Sequence, residues 1–280
     1  MKITAVVGAR KNGNTEEIVR FFARALEEKL EEKTEAEVEI LNLYDYPVPL
    51  CTGCHSCILR GEESCPHRGA VKPIEEKLTA SDGLILASPG YMFSVTAVMK
   101  NFLDHSAYNC HRPKYFGKPA FILSACTKWQ EKGVFIPLET WASGAGFTVA
   151  GKAYTDLMPF PQVESDLEKK RLHLKRAANT FATALRGQKA PMKPGFGDYM
   201  IFNAFSMIAR MMPNIFSADY AYFTKLGAYE GGDWYRPARP RIFLRAISRL
   251  LAGRIEKALG KMIDRERLAE GKKLYKNKLI

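Results

Sequence analysis

The sequence predicts an α/β fold: a five-stranded parallel sheet with helices on both faces, followed by a mostly helical C-terminal extension. Strand-like and helix-like segments alternate through residues 1–186, the pattern of a sheet whose parallel strands are joined by crossover helices. The interior strands are near-continuous apolar runs such as Leu84-Ile85-Leu86-Ala87, as expected of strands covered on both sides. Beyond residue 186 this alternation stops, and aromatic and basic helical segments take over.

In order, Lys2–Val7 is a buried strand of β-branched residues stopped by Gly8. Thr15–Glu32 places Ile18, Phe22, Leu26 and Leu30 on one face and reads as a helix capped by Asn14 or Thr15. Glu35–Asn42 alternates Ala36, Val38 and Ile40 with charged residues, which suits an edge strand. A long cysteine-bearing loop follows. Val71–Thr79 reads as a helix, Gly83–Ser88 as a strand, Thr96–Ser106 as a helix and Pro119–Cys126 as a strand. A helix around Phe135–Ser143, a strand at Thr148–Ala153 and a basic helix at Ser165–Arg186 complete this domain of residues 1–186. The extension, 187–280, opens with a linker at Ala190–Gly195. It continues through Phe196–Ile215 and through Asp219–Tyr235, whose four tyrosines are too aromatic for a disordered tail. After Arg236–Pro240 comes a helix at Arg241–Met262.

The chain has 280 residues, 46% hydrophobic and 26% charged, which excludes wholesale disorder and a coiled-coil rod. No uncharged apolar stretch is long enough to span a bilayer, and no secretory signal follows Met1, so the reading is a soluble, cytoplasmic protein. The net charge of +12 is uneven: residues 1–186 carry 24 basic against 22 acidic side chains, whereas 187–280 carry 18 against 8. Nucleic-acid binding through the basic segment ranks low, because no recognised module accompanies the charge.

Three constellations carry chemistry. Gly8-Ala9-Arg10-Lys11-Asn12-Gly13-Asn14-Thr15 links a strand to a helix N-terminus, where free N–H groups and the helix dipole favour an anion. It lacks the spacing of a dinucleotide or triphosphate loop, so a monophosphate suits it better; a plain strand-to-helix turn stands equal to that reading. Ser88-Pro89-Gly90-Tyr91-Met92-Phe93-Ser94 offers an apolar ledge for a planar ring, or covers the core. Cys51, Cys54, Cys57 and Cys65 occupy a fifteen-residue stretch. In a reducing compartment such a cluster is metal-binding or redox-active before it is disulfide-forming.

The first two motifs, with Met99-Lys100-Asn101-Phe102-Leu103-Asp104 behind them, resemble the NAD(P)H-dependent FMN reductases of the flavodoxin-like superfamily over about two thirds of the chain. The resemblance implies a flavodoxin-like strand order and FMN as cofactor. It places the phosphate on the first loop and the isoalloxazine on Ser88, Pro89, Gly90, Tyr91, Met92 and Phe93, with Ser124 and Cys126 in a third flavin-contacting loop. Where that family usually reads Gly-Ser-Pro-Arg, this chain has Gly8-Ala9-Arg10, so the phosphate falls to Arg10, Asn12, Asn14 and Thr15.

The run Cys51-x2-Cys54-x2-Cys57-x7-Cys65-Pro66 resembles ferredoxin spacing and, within the superfamily, the motif of the iron–sulfur flavoproteins, which implies a [4Fe–4S] cluster beside FMN. Unliganded thiols, and zinc with His55 or His67 replacing a thiolate, stay open. Cys126 also reads as a small buried hydrophobe, and His105 as a helix-surface or core histidine.

These observations together suggest an FMN-dependent oxidoreductase that takes electrons from NAD(P)H or a ferredoxin-type carrier and passes them to a small-molecule acceptor. The alternative is a flavodoxin-type electron carrier or binding module without substrate turnover. No side chain stands out as a catalytic acid or base. A homo-oligomer is expected, its extension packing on the flavin domain or on another subunit. The stripe Phe243, Ile247, Leu250, Leu251, Ile255, Ala258, Leu259 and Met262 marks the last helix as amphipathic. Burial of that stripe is favoured over peripheral contact with an anionic membrane.

Overall fold

A computed structural model describes residues 1–31, 34–127, 129–158, 160–187, 194–232, 234–235 and 241–263. Most of the Ala190–Gly195 linker, and Arg236–Pro240, lie outside the described residues. The elements run β1 (Lys2–Val7), α1 (Asn14–Glu31), β2 (Glu37–Asn42), the single turn α2 (Ser56–Leu59), α3 (Arg68–Ala80), β3 (Gly83–Pro89), α4 (Ala97–His105), the single turn α5 (Tyr108–His111), β4 (Pro119–Ala125), α6 (Glu131–Gly144), β5 (Thr148–Thr155), α7 (Glu164–Arg186), α8 (Phe196–Met211), α9 (Ser217–Lys225) and α10 (Ile242–Gly260).

The described residues fall into two compact units, one from Met1–Cys54 and Pro66–Ala190, the other from His55–Cys65 and Pro191–Ile280. The cysteine loop is therefore divided: its second half groups with the C-terminal residues rather than with the sheet.

In the first unit the five strands are all parallel in the order β2-β1-β3-β4-β5. This is the flavodoxin-like order, whose switch point between β1 and β3 opens a crevice at the strands' carboxyl ends. Alternation along each strand builds two cores. Val6, Leu84, Leu86, Ala120 and Ile122 point to one face and pack with Ile74, Met99, Phe102, Leu138 and Trp141 of α3, α4 and α6. Ala5, Val7, Ile85, Ala87, Phe121 and Leu123 point to the other and meet Phe22 and Leu26 of α1 and Phe181 of α7. Strand β2 lies at a sheet edge, as its alternating charges require.

The second unit has an aromatic core. Phe202 of α8 meets Phe223 of α9 edge-on with ring centres 5.5 Å apart, and meets Tyr235 at 4.8 Å. Helix α9 packs on α2, and the Ser217 hydroxyl donates to the Leu59 carbonyl at 3.2 Å. The stripe of the last helix is not buried against its own unit; burial against a second subunit, the other expectation, is not tested by a single chain. Only Ser248 and Ala252 of α10 are buried, while Phe243, Leu250 and Met262 of the expected buried stripe are 77%, 62% and 80% exposed. Small residues let α10 lie close against α8, so Phe243, Ile247, Leu250, Ile255 and Met262 are left on the outside, while Leu251 and Leu259 are half-buried. No described helix is long and apolar enough to cross a membrane.

Candidate functional site

A cleft of about 460 Å³ opens at the carboxyl ends of β1, β3, β4 and β5. Of the residues singled out from the sequence it brings together Arg10, Asn14, Thr15, Pro89, Gly90, Tyr91 and Cys126. The sequence reading missed Thr127 and Gln130 after β4, and Asp156, Leu157 and Met158 after β5. Their one signal was position: each follows the carboxyl end of a parallel strand, where ligands of such sheets bind.

The first loop is held from behind. The Thr96 hydroxyl donates to the Gly8 carbonyl at 2.6 Å, and the Asn42 amide donates to the Ala9 carbonyl at 3.1 Å. The first backbone bond of α1 runs from the Glu17 N–H to the Gly13 carbonyl at 3.0 Å. The N–H groups of Asn14, Thr15 and Glu16 therefore have no intrahelical acceptor and add their partial positive charge to the cleft.

Two expected phosphate ligands have other tasks. Asn12 does not line the cleft; it stands at φ 55° with its N–H donating to the buried Glu16 carboxylate at 3.1 Å. Glu16 also accepts from Arg20 and Asn42. Asn14 does line the cleft, but its side-chain amide donates to the Leu157 carbonyl at 2.8 Å, tying α1 to the segment after β5 rather than capping the helix.

The second loop divides in the same way. Ser88 and Ser124 are fully buried and do not line the cleft. The Ser124 hydroxyl donates to the Ser88 carbonyl, and the Ser88 hydroxyl to the Pro89 carbonyl, both at 3.0 Å, while the Thr96 N–H donates to Ser88 Oγ at 3.1 Å. These serines shape the loop from inside. Tyr91 and Ser94 close a tight turn with reciprocal backbone bonds of 2.9 and 3.0 Å. At its tip Met92 and Phe93 hold left-handed φ of 48° and 58° and are 92% and 60% exposed, outside the cleft lining.

Two features of the cleft suit a bound planar polar ligand. The Gln130 side chain lines the cleft, while its Oε1 atom is buried and has no hydrogen-bond partner. Gly90 admits that side chain: a Cβ there would stand 2.8 Å from both Gln130 Oε1 and Cys126 Cβ. Burial pushes the Cys126 thiol up, opposed by a hydrogen bond with Ser124 and reinforced by Glu131 and Asp156. The side chain is thus a neutral thiol at neutral pH, in keeping with a packing role.

The four clustered cysteines, like Cys110 and Cys126, are in no disulfide; Cys51 and Cys54 are exposed, Cys57 and Cys65 half-buried. Cys51 and Cys54 belong to the first unit, Cys57 and Cys65 to the second. Among the described residues no three His, Cys, Asp or Glu side chains are arranged to hold one metal ion. The donor chemistry nevertheless suits a soft metal or cluster.

The start of the loop is anchored. Asn101 Oδ1 accepts the Cys51 N–H at 2.9 Å, while its amide nitrogen donates to the Val48 and Pro49 carbonyls at 3.1 and 3.2 Å. Behind it, buried His105 approaches the Asn101 carbonyl through Nδ1 and His67 Nδ1 through Nε2, both at 3.0 Å. A carbonyl can only accept, so His105 carries a proton on Nδ1.

The model of the NADPH-dependent FMN reductase family matches residues 1–155. The chain belongs to that family. This NADPH-dependent FMN reductase family member is 26% identical over 234 residues to an iron–sulfur flavoprotein of Archaeoglobus fulgidus, a match covering 81% of this chain and 99% of that protein. It is 35% identical over 107 residues to an iron–sulfur flavoprotein of Methanocaldococcus jannaschii, covering 38% of this chain and 52% of that one. Among solved structures, a flavone reductase matches with a TM-score of 0.50 at 15% identity, over 70% of this chain and 67% of that chain. Family membership and sheet order together make the chain a flavodoxin-like, FMN-dependent oxidoreductase.

Proposed function

We propose that FMN occupies the cleft at the strands' carboxyl ends and that the chain passes electrons from NAD(P)H, or from a one-electron carrier, to a small acceptor. One observation carries the reading: the N-terminal turn of α1, at Asn14 and Thr15, opens into the same cleft that Pro89, Gly90, Tyr91 and Gln130 line. Bound there, FMN would supply a ring able to exchange either a hydride or single electrons. Arg10, Thr15 and the N–H groups of Asn14 to Glu16 would hold its phosphate. Pro89, Gly90 and Tyr91 would flank the ring, and Gln130 would accept a hydrogen bond from its polar edge. The family's name supports a nicotinamide donor. Exposed Tyr91, Met92, Phe93, Trp129 and Phe160 in loops following the strands support a homo-oligomer, because large exposed apolar patches mark association sites.

Cys51, Cys54, Cys57 and Cys65 would hold a [4Fe–4S] cluster, a reading supported by their spacing and by the names of the archaeal relatives. Such a cluster would supply single-electron transfer.

The test starts from anaerobically purified protein, assayed for flavin, iron and acid-labile sulfide after reconstitution. About one FMN per chain is expected, with visible flavin absorbance lost on adding NADH or NADPH. Replacing Asn14 and Thr15 together by Ala should release the flavin on desalting; full retention would refute the phosphate placement. Absence of iron and sulfide would remove the cluster and leave the flavin reading intact. Failure of the reduced protein to turn over a quinone or dye acceptor would favour the carrier alternative.

A further inference from the structure

Helix α10 carries Phe243, Ile247 and Leu250 on the side away from its own unit. The contact with α8 is small and polar: Ser248 and Ala252 are buried, and the Asn203 amide donates to Ser248 Oγ at 3.1 Å. Arg210 of α8 pairs with both carboxylate oxygens of Glu256 at 2.9 and 2.8 Å. The opposite face runs Phe243, Ala246, Ile247 and Leu250, at i, i+3, i+4 and i+7, and continues as Arg254, Lys257 and Lys261, all of them exposed. Glu256 is the one acidic residue in Arg241–Met262, against six basic ones, and it is engaged with Arg210 on the α8 side.

We propose that this face of α10 docks on an anionic lipid bilayer, its apolar half entering the headgroup boundary and its Arg254, Lys257 and Lys261 half resting on the charged surface. Charge decides between the occupants. A second copy meeting this face by two-fold symmetry would set arginines and lysines against one another where the helices ran parallel, and against Phe243, Ile247 and Leu250 where they ran antiparallel, with no carboxylate to offset them in either case. A nucleic acid would satisfy the basic half but offers no apolar medium for Phe243, Ile247 and Leu250. An anionic bilayer supplies both, and an amphipathic helix with a basic face binds in that manner. Residues 264–280 continue the bias with six basic and three acidic side chains. A membrane-bound FMN oxidoreductase would meet lipid-soluble acceptors at the surface where they dissolve.

The experiment is flotation of the full FMN-loaded chain with phosphatidylglycerol-containing or pure phosphatidylcholine vesicles at low ionic strength. Flotation with the anionic vesicles only is expected, lost in high salt. The variant Phe243→Glu/Leu250→Glu should lower partitioning more than tenfold. The variant Arg254→Gln/Lys257→Gln/Lys261→Gln should lower it about fivefold per charge removed, and both variants should retain their FMN. Should the first variant misfold, the second alone decides, since its positions are solvent-exposed. No flotation of the full chain, or equal flotation of the basic-face variant, would overturn the proposal. So would light scattering that shows a dimer abolished by Phe243→Glu/Leu250→Glu, because a second copy would then cover the face.

Discussion

Replacing Gly133 by Ala separates local helix preference from the demands of the flavin cleft. Gly133 lies in the first turn of α6, and helix propensity alone favours Ala there by up to about 1 kcal/mol. A methyl group at that position, however, overlaps the Phe93 carbonyl oxygen outright and stands 2.6 Å from its carbonyl carbon. Ordinary contacts need about 3.5–4.0 Å, so backbone must move by an ångström or more, and overpacking of that kind costs about 1–3 kcal/mol. The helix is braced by buried Val134, Phe135 and Leu138, whereas the Tyr91–Ser94 turn has an exposed tip. The turn should yield, carrying Tyr91 and Gly90 away from the cleft. We therefore expect a melting temperature of flavin-free protein unchanged or lowered by a few degrees, together with FMN affinity weakened at least tenfold. Thermal melts followed by circular dichroism, paired with fluorescence titration of FMN, measure both. A raised melting temperature with unchanged FMN affinity would refute the reasoning.

Met92→Asn with Phe93→Gly should stabilise the protein, since left-handed backbone costs an ordinary side chain about 1–2 kcal/mol and this pair suits a tight hairpin turn; a urea midpoint at or below wild type would count against strain at this tip. Asn101→Ala should raise amide hydrogen exchange at Cys51 while leaving flavin content unchanged, because it removes the acceptor of the Cys51 N–H; unchanged protection would show the anchor to be redundant. Burial opposes ionisation of Glu75, but hydrogen bonds from Lys114, Arg68 and Tyr108 outweigh it and hold the carboxyl below its ordinary value. The unfolded chain therefore binds this proton more readily. The Glu75 contribution is complete above the ordinary carboxylate range near about pH 4.3 and is lost as pH falls through the folded value. Glu75→Gln should lower stability at neutral pH and flatten this part of the acid limb, as read from urea midpoints across pH.

The sheet was legible because each strand declares itself locally. Leu84-Ile85-Leu86-Ala87 has no solvent face, and the charges alternating along Glu37–Asn42 mark an edge. The cleft was half legible for a related reason: Arg10 and Gly90 sit in loops, and Asn14 and Thr15 at a helix start, where the composition departs from either period. Gln130 and Asp156 were not, because a lone polar residue after a strand has no local signature; only the orphaned oxygen in the folded chain gives Gln130 away. Ser88 and Asn12 show the converse error. Their side chains look suited to a ligand, but folding commits Ser88 to the loop's own hydrogen bonds and turns Asn12 out of the cleft.

Helix α10 marks where periodicity fails in principle. A hydrophobic stripe at helical spacing establishes that one face is apolar, but not what lies against it. The deciding residues were the small ones. Ser248 and Ala252, four apart, form the flat strip that lets two helices approach closely, and the Asn203–Ser248 and Arg210–Glu256 bonds fix the approach on that side. Once the small strip faces α8, Phe243 and Leu250 must point outward, since they lie on the opposite side of the same helix. If the partner of that outer face were simply the protein's own core, removing Phe243 and Leu250 would cost stability as well as any docking. The exposed geometry instead requires that Phe243→Glu/Leu250→Glu leave the unfolding midpoint within about 0.5 kcal/mol of wild type, the usual range for surface substitutions. A loss of several kcal/mol in vesicle-free buffer would return the stripe to the protein's interior.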